Sequence, residues 1–538
     1  MKALRGQDDA LDVHVSGGTV RGVAEGRTIA WRGIPYAAST GRTARFRAPL
    51  PPAPWPGVRD GSRYGDIAPQ SHHGQFNGAG AQVPSSEDCL SVNVRVAART
   101  WGASSAAQPV MVFIHGGGYS TGSSRDFSGQ GEGFVLGGPV VYVSFNYRLG
   151  ALGYLDFTRY GSQSRPIESN LGLRDQVALL RWVRENIAVF GGDPGNVTIF
   201  GESAGGNAVT TLMATPAAGG LFARAIAQSS PTNAIYTPDV TARWAAEFVD
   251  ILRDQLAGRV RHNGRRKPVE RGEPRHGEEP GAGLELLITA SPAELVNAAV
   301  TLQIRTPDAY PGAFCLAPVI DGDFLPERPM TAFRRGRAHR VPLIIGTNER
   351  EGSIFRGRID ILPRSPARIQ ALFDAAPPES REQMRRVYDR FASRRAVADF
   401  SGDFGFWYPT SRVADFHSRF ADVHAYRFDF APRLLKIAGL DATHGVEMFA
   451  LFGRIDDPTA RAFTAIGGRE AYARAGERMR VEWLNFAGTG RVSEGWPAYR
   501  EPERATLLID DRNSVAHDPW HERREAWNRF LPELADDA

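Results

Sequence analysis

The chain has 538 residues, 42% apolar and 10% aromatic, a balance that suits a folded globular protein with a sizeable core. Its formal charge is +4, but every basic residue except Lys2, Lys267 and Lys436 is arginine, interleaved with 60 acidic residues, which excludes a nucleic-acid partner. The two cysteines, Cys89 and Cys315, lie far apart and outside any metal spacing, which argues against a disulfide-stapled secreted domain.

In chain order, residues 1–11 read as a flexible tail, and no apolar run of signal-peptide length occurs between Met1 and Gly18. No stretch of about 18 apolar residues is present for a membrane span, so a cytoplasmic protein is expected. From Val13 to Val96, short extended segments alternate with Gly/Pro turns, predicting an antiparallel edge of a sheet. The runs 109–114 and 140–145 are continuously apolar, as strands buried on both faces are. Val177, Leu180, Val183 and Ile187 recur at helical steps, and the helix they predict ends at Gly191-Gly192-Asp193-Pro194. A β-branched strand, 196–200, follows; the sequon Asn196-Val197-Thr198 falls inside it and reads as chance. Residues 258–283 are rich in arginine, glycine and proline and read as a disordered, solvated insertion between two helices. Segments 341–345 and 424–428 predict later strands, giving a mostly parallel sheet flanked by helices.

The chemistry concentrates at Gly201-Glu202-Ser203-Ala204-Gly205-Gly206, between the 196–200 strand and a helix-compatible run, 207–214. Strand, Gly-x-Ser-x-Gly, helix is the context of a nucleophile elbow, with glycines where side chains would clash. A serine hydroxyl needs a base, a group to orient that base, and backbone amides to hold the developing oxyanion. His115-Gly116-Gly117-Gly118-Tyr119 follows a strand and is placed to supply those amides. For the acid, Glu349 and Glu351 share the loop after the 341–345 strand, with Asp321 and Asp323 as weaker rivals. Of the eight histidines after Ser203, His262 and His276 fall in the insertion and His424 begins a strand. His517 and His521 have a metal-compatible spacing broken by Pro519, so they read as surface residues, and His444 is best placed as the base.

With these residues in view, the chain resembles the type-B carboxylesterases, α/β-hydrolases that include bacterial para-nitrobenzyl esterases and cholinesterases. The resemblance runs from about Val13 to Ile509. Besides the two glycine-rich motifs it rests on Arg32-Gly33-Ile34-Pro35-Tyr36-Ala37, Ser86-Glu87-Asp88-Cys89-Leu90, Asn146-Tyr147-Arg148-Leu149-Gly150 and Phe190-Gly191-Gly192-Asp193-Pro194. It implies one α/β-hydrolase domain over 1–538: a large, mostly parallel central sheet with an antiparallel N-terminal edge and helices on both faces. It implies Ser203 as nucleophile, Glu351 (in Glu351-Gly352-Ser353-Ile354-Phe355) as acid and His444 (in His444-Gly445-Val446-Glu447) as base. Gly117, Gly118 and Ala204 would form the oxyanion hole, and Glu202, Ser229 and Glu447 a supporting polar network. Arg45 with Glu87, and Arg148 with Asp175, match structural ion pairs.

Two departures from the family narrow the expectation. Ser71 stands where secreted members carry the partner of Cys89, so Cys89 should be a free thiol. Ala79 stands where cholinesterases carry a tryptophan for a cationic head, which argues against a quaternary-ammonium substrate. Tyr119 replaces the usual phenylalanine. The resemblance implies hydrolysis of a small carboxylic ester without metal or organic cofactor. The same triad acting on carbamates, lactones or amides is the main alternative, and a non-catalytic adhesion-type homologue a remote one. Phe314, Phe355, Phe404, Phe406 and Trp407 are candidate pocket residues.

Overall fold

A computed structural model describes residues 11–72, 80, 82–102, 106–258, 280–355 and 361–534. The expected tail up to residue 10, Ala79, and residues 259–279 of the expected insertion lie outside the described residues. The insertion's far boundary corrects the expectation, because the helix Pro280–Thr289 starts inside it. Proline is favoured in a first helical turn, Leu287 is fully buried, and Arg45 Nη1 donates to the carbonyls of Leu287, Ile288 and Ala290 at the helix's C-terminal end.

The strands are β1 Asp12–Val15, β2 Gly18–Arg21, β3 Val23–Glu25, β4 Thr28–Pro35, β5 Val58–Asp60, β6 Ser91–Ala97 and β7 Gln108–Ile114. They continue with β8 Val141–Phe145, β9 Gly192–Glu202, β10 Arg224–Gln228, β11 Leu343–Asn348, β12 Val423–Phe428, β13 Ala505–Ile509 and β14 Ser514–His517. β1, β2 and β5 form a three-stranded sheet, and the others an eleven-stranded sheet in the order β14-β13-β12-β11-β10-β9-β7-β8-β6-β4-β3. From β8 to β13 every pairing in that order is parallel. The N-terminal edge, β3, β4 and β6, is antiparallel, as the alternating segments before Val96 predict. The opposite edge is antiparallel as well, where β14 pairs with β13.

Each central strand feeds two cores. Val110, Val112 and Ile114 of β7 join the cluster that holds the helices Leu171–Asn186 and Ala204–Met213. Met111 and Phe113 join the opposite cluster, packed on the helix Arg469–Thr489. Alternation over a two-sided core explains the continuous apolar runs. β9 is longer than its sequence signal: Gly191, at φ 82°, closes the preceding helical turn, and the strand starts at Gly192. Among the described residues no single helix is long and apolar enough to cross a membrane. Cys89 and Cys315 are both buried free thiols.

Buried ion pairs fasten loops to this frame. Arg45 binds Glu87 through Nε at 2.7 Å and Nη2 at 2.6 Å. Arg148, after β8, binds Asp175 of the Leu171–Asn186 helix through Nε at 2.8 Å and Nη2 at 2.6 Å. Removing one partner of such a pair strands a buried charge. Asp175→Ala is therefore expected to lower unfolding stability by about 3–5 kcal/mol in a denaturant titration. A loss below about 1 kcal/mol would show that the pair is not a structural tie.

Candidate active site

β9 delivers Ser203 into the helix Ala204–Met213 through a strained turn, with Ser203 at φ 60° and ψ −122°. A non-glycine residue at positive φ is costly and has to be held by its surroundings. Here the Ser203 N–H donates to the Gln228 carbonyl at 2.9 Å, and the Asn207 N–H donates to the Ser203 carbonyl at 2.9 Å. A Cβ on Gly205 would lie 2.1 Å from the Ile114 carbonyl oxygen, so only glycine fits there.

The candidate acid and base, Glu351 and His444, come from later strands. Glu351 opens a short helical turn after β11 and is buried. Its Oε1 accepts from Ser229 Oγ and from the Asn348 N–H, both at 2.6 Å. Its Oε2 accepts from His444 Nδ1 at 2.5 Å. Because a carboxylate oxygen can only accept, this bond places the imidazole proton on Nδ1 and leaves Nε2 to receive one. Nε2 lies 3.2 Å from Glu202 Oε1. Ser203 and His444 line one cavity of about 460 Å³, but no hydrogen bond joins Ser203 Oγ to Nε2. In ligand-free enzymes this contact is commonly long and tightens around substrate.

Gly117 and Gly118 line the same cavity, at φ 105° and 61°, with Ala204 opposite them at the helix N-terminus. A Cβ on Gly117 would meet the Thr121 carbonyl oxygen at 2.3 Å. None of the three amide N–H groups has an acceptor among the described residues, so each is free to donate to a bound ligand.

Of the remaining sequence candidates, Ser229 bonds Glu351 directly and Glu202 faces His444. Glu447 sits one layer out, accepting from Asn348 Nδ2 at 2.7 Å and Gln228 Nε2 at 3.2 Å. Asn348 and Gln228 were missed by sequence reasoning; both end strands next to site residues, and that position was their only signal. Glu349 turns away: its N–H donates to the Phe428 carbonyl at 3.0 Å, and its carboxyl feels Asp429 and Arg427. Asp321 is bound to Ser169 Oγ and Asn170 Nδ2, and Asp323 is exposed. Phe314, Phe355 and Phe406 line the cavity, Phe406 with its ring 4.4 Å from that of His444. Phe404 and Trp407 instead pack on Trp527 and Trp520. All of Asp403–Trp407 is helical, so successive side chains point to different sides.

A mostly parallel sheet that hands a serine through a strained turn to the N-terminus of a helix is the α/β-hydrolase fold. The carboxylesterase family pattern matches residues 9–527. The chain is 34% identical over 517 residues to the para-nitrobenzyl esterase of Bacillus subtilis (strain 168), covering 94% of this chain and 96% of that one. It is 30% identical to a phenmedipham hydrolase of Pseudarthrobacter oxydans, covering 94% and 96%. The solved structure of a PNB esterase superposes with a TM-score of 0.78 at 32% identity, covering 96% and 99%. The chain belongs to the carboxylesterase family. It is a serine hydrolase of carboxylic esters.

Burial alone would lower the His444 pKa, but the carboxylates of Glu202 and then Glu351 outweigh it and hold the imidazole above its ordinary range. Burial likewise pushes Glu202 up, with His444 opposing and Glu351 adding to the rise. Glu447 is raised by burial and then by Glu202 and Glu351. A general base must be neutral, so with His444 in that role kcat/KM is expected to fall as pH drops through its pKa. Glu202→Gln removes the strongest of the charges that raise that pKa. The acidic limb of the kcat/KM–pH profile is expected to move to lower pH by about one unit. An unmoved limb, or one moved upward, would contradict this electrostatic picture.

Proposed function

We propose that the enzyme hydrolyses small carboxylic esters through a Ser203–His444–Glu351 triad and an acyl-enzyme. Ser203 Oγ attacks the ester carbonyl as His444 Nε2 takes its proton, with Glu351 fixing the imidazole tautomer and stabilising the imidazolium. The amides of Gly117, Gly118 and Ala204 receive the charge that develops on the carbonyl oxygen, each worth roughly 3 kcal/mol in such sites. His444 then protonates the departing alcohol. Water, deprotonated by the same nitrogen, releases the acid. Glu202, Ser229 and Glu447 support the base.

The observation that carries this reading is the unbroken hydrogen-bond chain Ser229–Glu351–His444 reaching a cavity that Ser203 also lines. The aromatic walls, Phe314, Phe355 and Phe406, favour an apolar substrate. Ser203→Ala is expected to lower kcat on p-nitrophenyl esters by at least about 1,000-fold with the fold intact. A panel of such esters of increasing acyl length, with one carbamate and one anilide, reads reaction class and pocket depth together. Near-parental ester turnover by Ser203→Ala would sink the assignment, and faster turnover of the carbamate or anilide would replace the ester as substrate.

A further inference from the structure

The amides read as the oxyanion hole come from two separate pieces of chain: the loop after β7 carries Gly117 and Gly118, and the helix after Ser203 carries Ala204. Their spacing decides whether all three can reach one oxygen, and donors misplaced by 1 Å lose most of their value. One buried side-chain relay spans the gap. Tyr119, next to Gly118, donates from Oη to Asn207 Oδ1 at 2.6 Å. Asn207, one helical turn past Ser203, donates from Nδ2 to the Pro231 carbonyl at 2.7 Å. Pro231 follows β10 and lines the cavity, two residues beyond the Ser229 that binds Glu351.

The relay has only one arrangement. A carbonyl can only accept, so Pro231 claims the Asn207 amide nitrogen and leaves Oδ1 for a donor. Tyr119 supplies that donor, and burial pushes its phenol pKa well up, so it keeps its proton. Asn207 has no exposed surface to hydrate instead. The Tyr119 ring is fixed by stacking on Tyr154 at 3.9 Å, and its carbonyl accepts from the Gly150 N–H at 2.7 Å. A phenylalanine at 119 would keep the stack and lose the relay.

We propose that Tyr119 and Asn207 are positioning residues that set the distance between the two halves of the oxyanion hole. The inference rests on the proposed roles of Gly117, Gly118 and Ala204. Tyr119→Phe leaves the reacting groups in place but lets the loop drift from the helix. Transition-state stabilisation therefore falls while substrate binding does not.

The test compares Tyr119→Phe with Tyr154→Phe, which also loses a buried tyrosine hydrogen bond, from Gln176 Nε2 at 3.0 Å, but not the relay. Readouts are kcat, KM, Tm and the Ki of a trifluoromethyl ketone, which forms a tetrahedral adduct with a serine nucleophile. For Tyr119→Phe, kcat is expected to fall and Ki to rise together by about 3- to 10-fold, with KM within about twofold. Tyr154→Phe should match its Tm loss while leaving kcat and Ki within about twofold. The inference is overturned if Tyr119→Phe keeps kcat and Ki, or if both variants lose kcat equally. Ser203→Ala separates the two levels. If it binds the ketone as tightly as the parent, the oxyanion-hole reading falls and this inference with it. If it does not, an unchanged Tyr119→Phe overturns the relay alone.

Discussion

The backbone of Gly205 approaches the Ile114 carbonyl so closely that a methyl group would sit 2.1 Å from the oxygen. That contact joins the end of β7 to the start of the helix after Ser203. It brings the loop beginning at His115 to the helix N-terminus and leaves Ser203 at their junction with φ at 60°. Strain of this kind persists only where neighbours over-determine it. Here the Ser203 N–H is tied to Gln228 on β10, and β9 lies in parallel register between β7 and β10.

Parallel pairing then gathers the rest. The strands from β7 to β12 run the same way, so their carboxyl ends share one edge of the sheet, where open α/β sheets bind ligands. The loop after β7 carries Gly117, β9 leads to Ser203, β10 to Ser229 and β11 to Glu351, while His444 lies beyond β12. Four ionisable groups meet at this edge away from water, and such burial is costly unless each is bonded or paired. Glu351 has three partners, and Glu447 is held by Asn348 and Gln228. Glu202 Oε1 faces the imidazole edge of His444 at 3.2 Å, and its charge is the largest of those that raise the His444 pKa.

Much of this was legible from residue order. Continuous apolar runs marked β7 and β8, and the glycine pattern marked the elbow, because local backbone geometry dictates those residues directly. The choice between Glu349 and Glu351 was not: both share one loop, and only the turn at Glu351–Ser353 decides which carboxylate meets His444. The resemblance to the family pointed to Glu351 where periodicity could not. A helix after the insertion is expected from the sequence, but its start at Pro280 is not, and Arg45, distant in sequence, helps to hold its end. Phe404 and Trp407 are only candidate pocket residues by composition, which carries no direction, and the helix they sit in sends them toward Trp527 and Trp520.

Everything in this scheme turns on a covalent intermediate between Ser203 and the acyl group of the substrate. Stoichiometric inactivation with diethyl p-nitrophenyl phosphate, followed by peptide mapping with tandem mass spectrometry, tests it most directly. One diethylphosphoryl group per chain is expected, located on Ser203, in step with loss of esterase activity. A label on another residue, or lost activity with Ser203 unmodified, would contradict it.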